Sequence, residues 1–139
     1  MRKIKLNTEM IRYIALFETM TGAVAQDCIL EDDRILFIVK EGQAGLAIGK
    51  DGANITKLQR ILNKTIEVLE FSTNLAKFIQ NIFRPAKIND VYTSEKSDGG
   101  KVVYITPTSD KGLVKSKFKK AKALLQKYFS IADIAISKK

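Results

Sequence analysis

The chain repeats itself. The segments "ILFIVKEGQAGL" (residues 35–46) and "VVYITPTSDKGL" (residues 102–113) align without a gap, so that Ile35 falls on Val102, Phe37 on Tyr104, Ile38 on Ile105, Gly45 on Gly112 and Leu46 on Leu113. A period of this length is too long for a stacked solenoid and suits two small α/β units in tandem. Past Leu113 the copies match only if the second is about four residues shorter, and the missing piece is the counterpart of "GKDG".

The elements around these segments recur in one order. "LNTEMIRYIALFETMTG" predicts an amphipathic helix, with Leu6, Ile11, Ile14, Ala15 and Phe17 at helical spacing, Asn7 or Thr8 as cap and Gly22 as stop. "AVAQDCILED" and "RILFIVKEG" are β-branched and apolar around the turn "EDDR", which predicts a hairpin. "QAGLAIG" reads as a short helical turn broken by "KDG", and "ANITKLQRILNK" as a helix with Ile55, Leu58, Ile61 and Leu62 on one face. "TIEVLEF" alternates like a strand. The second copy runs through a helix in "TNLAKFIQNIF" stopped by Pro85, a hairpin of "AKINDVYTSEK" and "KVVYITPT", helices in "DKGLVKS" and "KFKKAKALLQKYF", and a strand in "IADIAI". Each unit is therefore predicted as helix–strand–strand–helix–helix–strand, the first over residues 1–71 and the second over 72–139. With almost no linker between them, the two are expected to pack as one rigid body.

Several function classes are excluded by residue counts. One cysteine, Cys28, and no histidine leave no internal disulfide, no cysteine or histidine metal site and no Ser–His or Cys–His catalytic pair. Cys28 sits beside an aliphatic pair and is expected to be a small buried strand residue. No pair of acids is placed for carboxylate catalysis, so no enzyme activity and no cofactor are predicted. The apolar residues near the start are interrupted by Glu9, Arg12 and Glu18, unlike a secretory signal, and no apolar run approaches a membrane span. A cytoplasmic protein without membrane contact is expected.

The charge is unevenly placed. The net charge of +9 lies wholly in residues 72–139, which carry fourteen basic and five acidic side chains, whereas residues 1–71 carry ten of each. A basic half joined to a neutral one points to a polyanionic partner, most often nucleic acid.

The densest glycine segment, "GLAIGKDGANI", decides which kind. It fails as a nucleotide P-loop: Ala44 stands at the first glycine position, and Asp51 follows Lys50 where a magnesium-binding hydroxyl is needed. It succeeds as a clamp on a sugar-phosphate backbone. Gly49 and Gly52 bring no Cβ and let the main chain turn sharply, the helix after them offers free amides, and Lys50 adds a point charge. Ile48, Ile55 and Ile38 are predicted to floor an apolar groove for unstacked bases. Without tryptophan, and with no exposed aromatic platform visible in the sequence, stacking is expected to be secondary to groove and backbone contacts.

The stretch "GLAIGKDGANITKLQRILNKTIEV" resembles the K-homology (KH) signature, an "IGKxGxxI" core followed by hydrophobic residues at helical spacing. A hairpin before the GxxG and a strand after the second helix resemble the prokaryotic, type II order. Two such units fused tightly resemble the archaeal NusA family. The resemblance implies an α+β, sandwich-like fold of two tandem type II KH domains, each a three-stranded sheet covered by helices. It also implies a protein that binds single-stranded RNA and acts in transcription termination, antitermination or elongation, with RNA polymerase or other transcription proteins as partners; separately, a monomer is expected. It places RNA contacts at Ile48, Gly49, Lys50, Asp51, Gly52, Asn54, Ile55 and Lys57. The second unit departs from the signature, with "GLVKSKFKKAK" where GxxG should stand. Its Lys115, Lys117, Lys119 and Lys120, with Lys111, Lys122 and Lys127, are expected to form a sequence-blind phosphate surface. The competing expectation is an adaptor that binds polymerase or a ribonucleoprotein and touches RNA weakly or not at all.

Overall fold

A computed structural model describes residues 8–137. It divides into two compact units, one ending at Ser72 and one beginning at Thr73.

In the first unit, α1 (Thr8–Thr21) ends at Gly22, whose φ of +79° turns the chain out of the helix while its amide donates to the Glu18 carbonyl at 2.9 Å. Leu6 and Asn7, expected in this helix and its cap, lie outside the described residues. The helix presents Phe17 to the core, with Met10, Tyr13, Ile14, Leu16 and Met20 packed partly buried around it. Its apolar face is thus rotated from the one predicted: Ile11 is 52% exposed and Ala15 is also at the surface. Strands β1 (Ala25–Leu30) and β2 (Arg34–Val39) form the hairpin, and β3 (Thr65–Glu70) joins β2 in parallel, giving the order β1-β2-β3.

A parallel pair cannot be closed by a tight turn. The chain must cross from the end of β2 back to the start of β3, and α2 (Ala44–Ile48) and α3 (Ala53–Leu62) make that crossover. Phe37 on β2 stacks on Phe17 with ring centroids 4.1 Å apart, and Ile35, Val39, Leu58 and Ile66 complete the same cluster. Ile55 and Leu62 pack against it, but Ile61 does not share their face and is 57% exposed. Cys28 is buried as expected; loss of hydration, then the Asp27 charge, pushes its thiol up to about 12.

The second unit repeats the topology. Helix α4 (Leu75–Phe83) is capped by the Asn74 side chain, which accepts from the Lys77 amide at 2.9 Å. Strands β4 (Ile88–Glu95), β5 (Lys101–Pro107) and β6 (Asp133–Ile136) form the sheet β4-β5-β6, with the last pair parallel. Here the crossover is one helix, α5 (Lys111–Phe129), and not the two predicted. With "GKDG" missing, nothing between Leu113 and Phe129 breaks a helix; Gly112 falls in the first turn, where its cost is small, and lysine, alanine and leucine sustain the rest. Phe78 packs on Tyr128 and Phe129, and Phe83 on Phe118, over the buried Val103, Ile105, Leu124 and Leu125. Among the described residues no helix is long and apolar enough to cross a membrane.

Candidate nucleic-acid interface

The break in the first crossover is built from three residues with unusual backbones. Gly49 sits at φ 81°, ψ 169°, Asp51 at φ 55°, ψ 28°, and Gly52 at φ 74°, ψ 18°. The Gly49 conformation is essentially open to glycine alone, and the left-handed one at Asp51 is among those aspartate tolerates best. The Gly49 amide closes α2 on the Gly45 carbonyl at 2.9 Å, and the Gly52 amide donates to the Gly49 carbonyl at 3.1 Å. The Ala53 amide donates to the Lys50 carbonyl. The amides of Lys50 and Asp51 stay outside these bonds.

The two glycines serve different ends. A Cβ on Gly49 would lie 2.8 Å from Asn54 Nδ2 and 3.1 Å from the Asn54 backbone nitrogen, while one on Gly52 would meet nothing within 4 Å. Gly49 is therefore glycine because the start of α3 packs on it, and Gly52 leaves open space beside the loop. Asn54, expected at the interface, turns its amide inward: Nδ2 donates to the Leu46 carbonyl at 3.1 Å and ties α3 to α2. Lys50, Asp51 and Lys57 are exposed, Ile48 is 40% exposed, and Ile55 is half-buried against the core. Arg60, one turn beyond Lys57 and also exposed, adds a cation that the signature does not bring to attention. Ile38 does not belong with these residues. It is fully buried, and by strand alternation it faces away from the side of β2 that carries Ile35, Phe37 and Val39.

In the second unit the lysines separate by role. Lys111, Lys115, Lys119 and Lys122 are exposed at three- and four-residue spacing, one stripe along α5. Lys117 lies off that stripe: its Nζ donates to the Arg84 carbonyl at 2.6 Å and the Ile82 carbonyl at 3.4 Å, closing the end of α4. Lys120 is half-buried. Lys122 lies 3.5 Å from Asp133, whose carboxyl is held below the usual range by the Ile134 amide and, less strongly, by Lys122. An exposed aromatic also exists that the sequence does not reveal. Tyr92 is 48% exposed and stacks on Tyr104 across the β4–β5 pair at 5.1 Å between centroids; the register that joins them is a property of the sheet. Among the described residues no group of three His, Cys, Asp or Glu could hold a metal ion.

Two units of this topology, the first with a glycine-bracketed loop splitting its crossover, define a tandem KH-type architecture. The family profile for the KH domain matches residues 11–96. The chain is 46% identical over 103 residues to the "Probable transcription termination protein NusA" of Methanococcus vannielii, covering 74% of this chain and 59% of that protein. It is 42% identical over 92 residues to the protein of the same description from Methanocaldococcus jannaschii, covering 66% and 50%. Against that of Halococcus morrhuae it is 31% identical over 140 residues, covering 97% and 99%. The chain thus spans less than two thirds of the first two relatives and nearly all of the third. The crystal structure of APE1850 superposes with a TM-score of 0.76 at 34% identity, covering 95% of this chain and 100% of that one. The chain belongs to the KH-domain family, in the group formed by these archaeal NusA proteins.

Proposed function

We propose that this protein is a non-catalytic, NusA-type transcription factor that binds single-stranded RNA through the Gly49–Gly52 loop of its first unit. One observation carries the reading. Beside Gly52 there is open space next to exposed Lys50, and the Lys50 and Asp51 amides are not spent within the loop. A phosphodiester approaching there meets amide donors, a lysine charge and the start of α3 together, with no Cβ in the way. Exposed Ile48 and Lys57 flank that approach, and Gly49 and Asn54 hold its shape. The role in transcription is carried over from the relatives named for termination. The stripe Lys111–Lys115–Lys119 supplies a further phosphate-facing surface of a sequence-blind kind.

A protein-docking role is favoured by a different observation: Leu46 and Ile48, both on α2, are large apolar residues at the surface. Fluorescence anisotropy with a labelled, mixed-sequence RNA octamer at moderate salt separates the two. The RNA reading expects binding by the wild type and a loss of about 1–2 kcal/mol in Lys50→Asp, which leaves both glycines in place. A wild type without RNA affinity would leave the docking role standing.

A further inference from the structure

The second unit lacks the glycine loop, but it holds a cleft of about 480 Å³ at another place, where the end of α4 meets the start of β4 and the segment after β5. That volume falls within the range of about 300–1,000 Å³ typical of small-molecule sites. Arg84, Lys87, Asn89 and Thr108 line it, Pro85 and Ile88 add apolar surface, and no carboxylate does. Among the described residues the side chains of Arg84 and Lys87 have no ion-pair partner, unlike Arg34, which lies within 4 Å of Glu31, Asp33 and Glu67. Lys117 is not part of this lining; its ammonium is held on the Arg84 carbonyl, at the end of α4.

The walls are fixed. The Gln80 side chain donates to the Ala86 carbonyl and accepts from the Ile88 amide, both at 2.9 Å. From the other side the Thr108 amide donates to the Lys87 carbonyl at 2.9 Å, and the Lys87 amide donates to the Ser109 hydroxyl at 3.2 Å. The backbone carrying the two cations is therefore pinned on both flanks, while their charged ends remain uncompensated.

We infer that this cleft is a second phosphate-binding site, taking a phosphodiester of the bound RNA between Arg84 and Lys87, with the attached nucleoside against Pro85, Ile88 and the Asn89 amide. This rests on the RNA-binding reading above and assigns the second unit a contact of its own. Arginine and lysine facing a common space without a carboxylate favour a phosphate over any cationic or neutral ligand.

The test is an NMR titration of the ¹⁵N-labelled full chain with a mixed-sequence RNA octamer, with inorganic phosphate as a separate arm, read at Arg84 Nε, Asn89 Nδ2 and the Lys50–Gly52 amides. The expected result is that the octamer shifts both sets of signals. In Arg84→Ala/Lys87→Gln the cleft shifts vanish, the loop shifts persist, and the slope of log affinity against log salt flattens by about 0.7 for each phosphate no longer neutralised. Octamer shifts at the loop alone would overturn the cleft site and leave the first-unit reading intact. No shift at either place would overturn both. Cleft shifts as strong with inorganic phosphate as with the octamer would also overturn the inference, since they would mark a general anion site and not an RNA contact. Arg84 holds Lys117 only through its carbonyl, which the alanine variant keeps, so the fold is expected to survive.

Discussion

Alanine at Gly49 and alanine at Gly52 should have unequal effects, and the inequality can be worked out from the loop. At Gly49 the backbone lies in a region that non-glycine residues enter at about 1–3 kcal/mol. The new Cβ would also sit 2.8–2.9 Å from the Asn54 side chain. Asn54 must then swing away and give up its bond to the Leu46 carbonyl, about another 1 kcal/mol. Its backbone nitrogen, 3.1 Å from the same Cβ, belongs to α3 and cannot follow. Gly49→Ala is therefore expected to destabilise the first unit by about 2–4 kcal/mol. At Gly52 the added methyl meets open space, and only the left-handed backbone resists, at about 1–2 kcal/mol. Urea unfolding followed at the amide signals of α3 and β3 measures both. Gly49→Ala should also couple to Asn54→Ala, because removing the amide relieves the close contact; a coupling of about 1 kcal/mol is expected. Equal losses at the two glycines, or no coupling with Asn54, would refute this division of roles.

Other outcomes rest on the same kind of geometry. Lys117→Met should destabilise the second unit by about 1–2 kcal/mol, through the loss of its bonds to the Ile82 and Arg84 carbonyls, and leave the salt dependence of RNA binding nearly unchanged. Lys115→Gln/Lys119→Gln should do the reverse in anisotropy titrations, flattening the salt slope by up to about 0.7 per lysine with little effect on stability. Cys28 should resist a thiol reagent in the folded chain and react on unfolding. Its thiol is raised in the fold from 9.0 to about 12, so unfolding favours the thiolate. The neutral thiol's contribution is complete below pH 9 and is lost as pH rises from there towards 12, which pH-dependent urea melts of the wild type and Cys28→Ala would show.

What the sequence reveals, it reveals through local rules. The pairing of Gly49 with Gly52, the stop at Gly22 and the β-branched, apolar run of β2 are each legible within a few residues. Features that depend on distant partners are not. The exposed face of α1 follows from how Phe17 meets Phe37, so spacing alone misplaces Ile11. Ile38 reads as a groove residue because it is apolar and near, although the pleat sends it to the other side from Phe37. Lys117 looks like its neighbours in the chain, and only the end of α4 makes it a cap. Tyr92 and Tyr104 become a stacked pair only through the β4–β5 register. The second crossover reads as two helices by analogy with the first copy, where the break comes from residues that the second copy lacks.

The claim that the first unit's loop receives the RNA backbone is tested most directly by filling the empty space beside it without unfolding the chain. Asparagine tolerates the left-handed conformation better than most residues, so Gly52→Asn should keep stability within about 1 kcal/mol of the wild type. It would place a side chain where a Cβ at Gly52 meets nothing within 4 Å. The measurement is the affinity of that variant for the mixed-sequence octamer, with its urea melt recorded alongside. A folded variant bound at least about tenfold more weakly, near 1.4 kcal/mol, is the expected result. Wild-type affinity in the folded variant would contradict it and move the RNA-binding surface away from Gly49–Gly52.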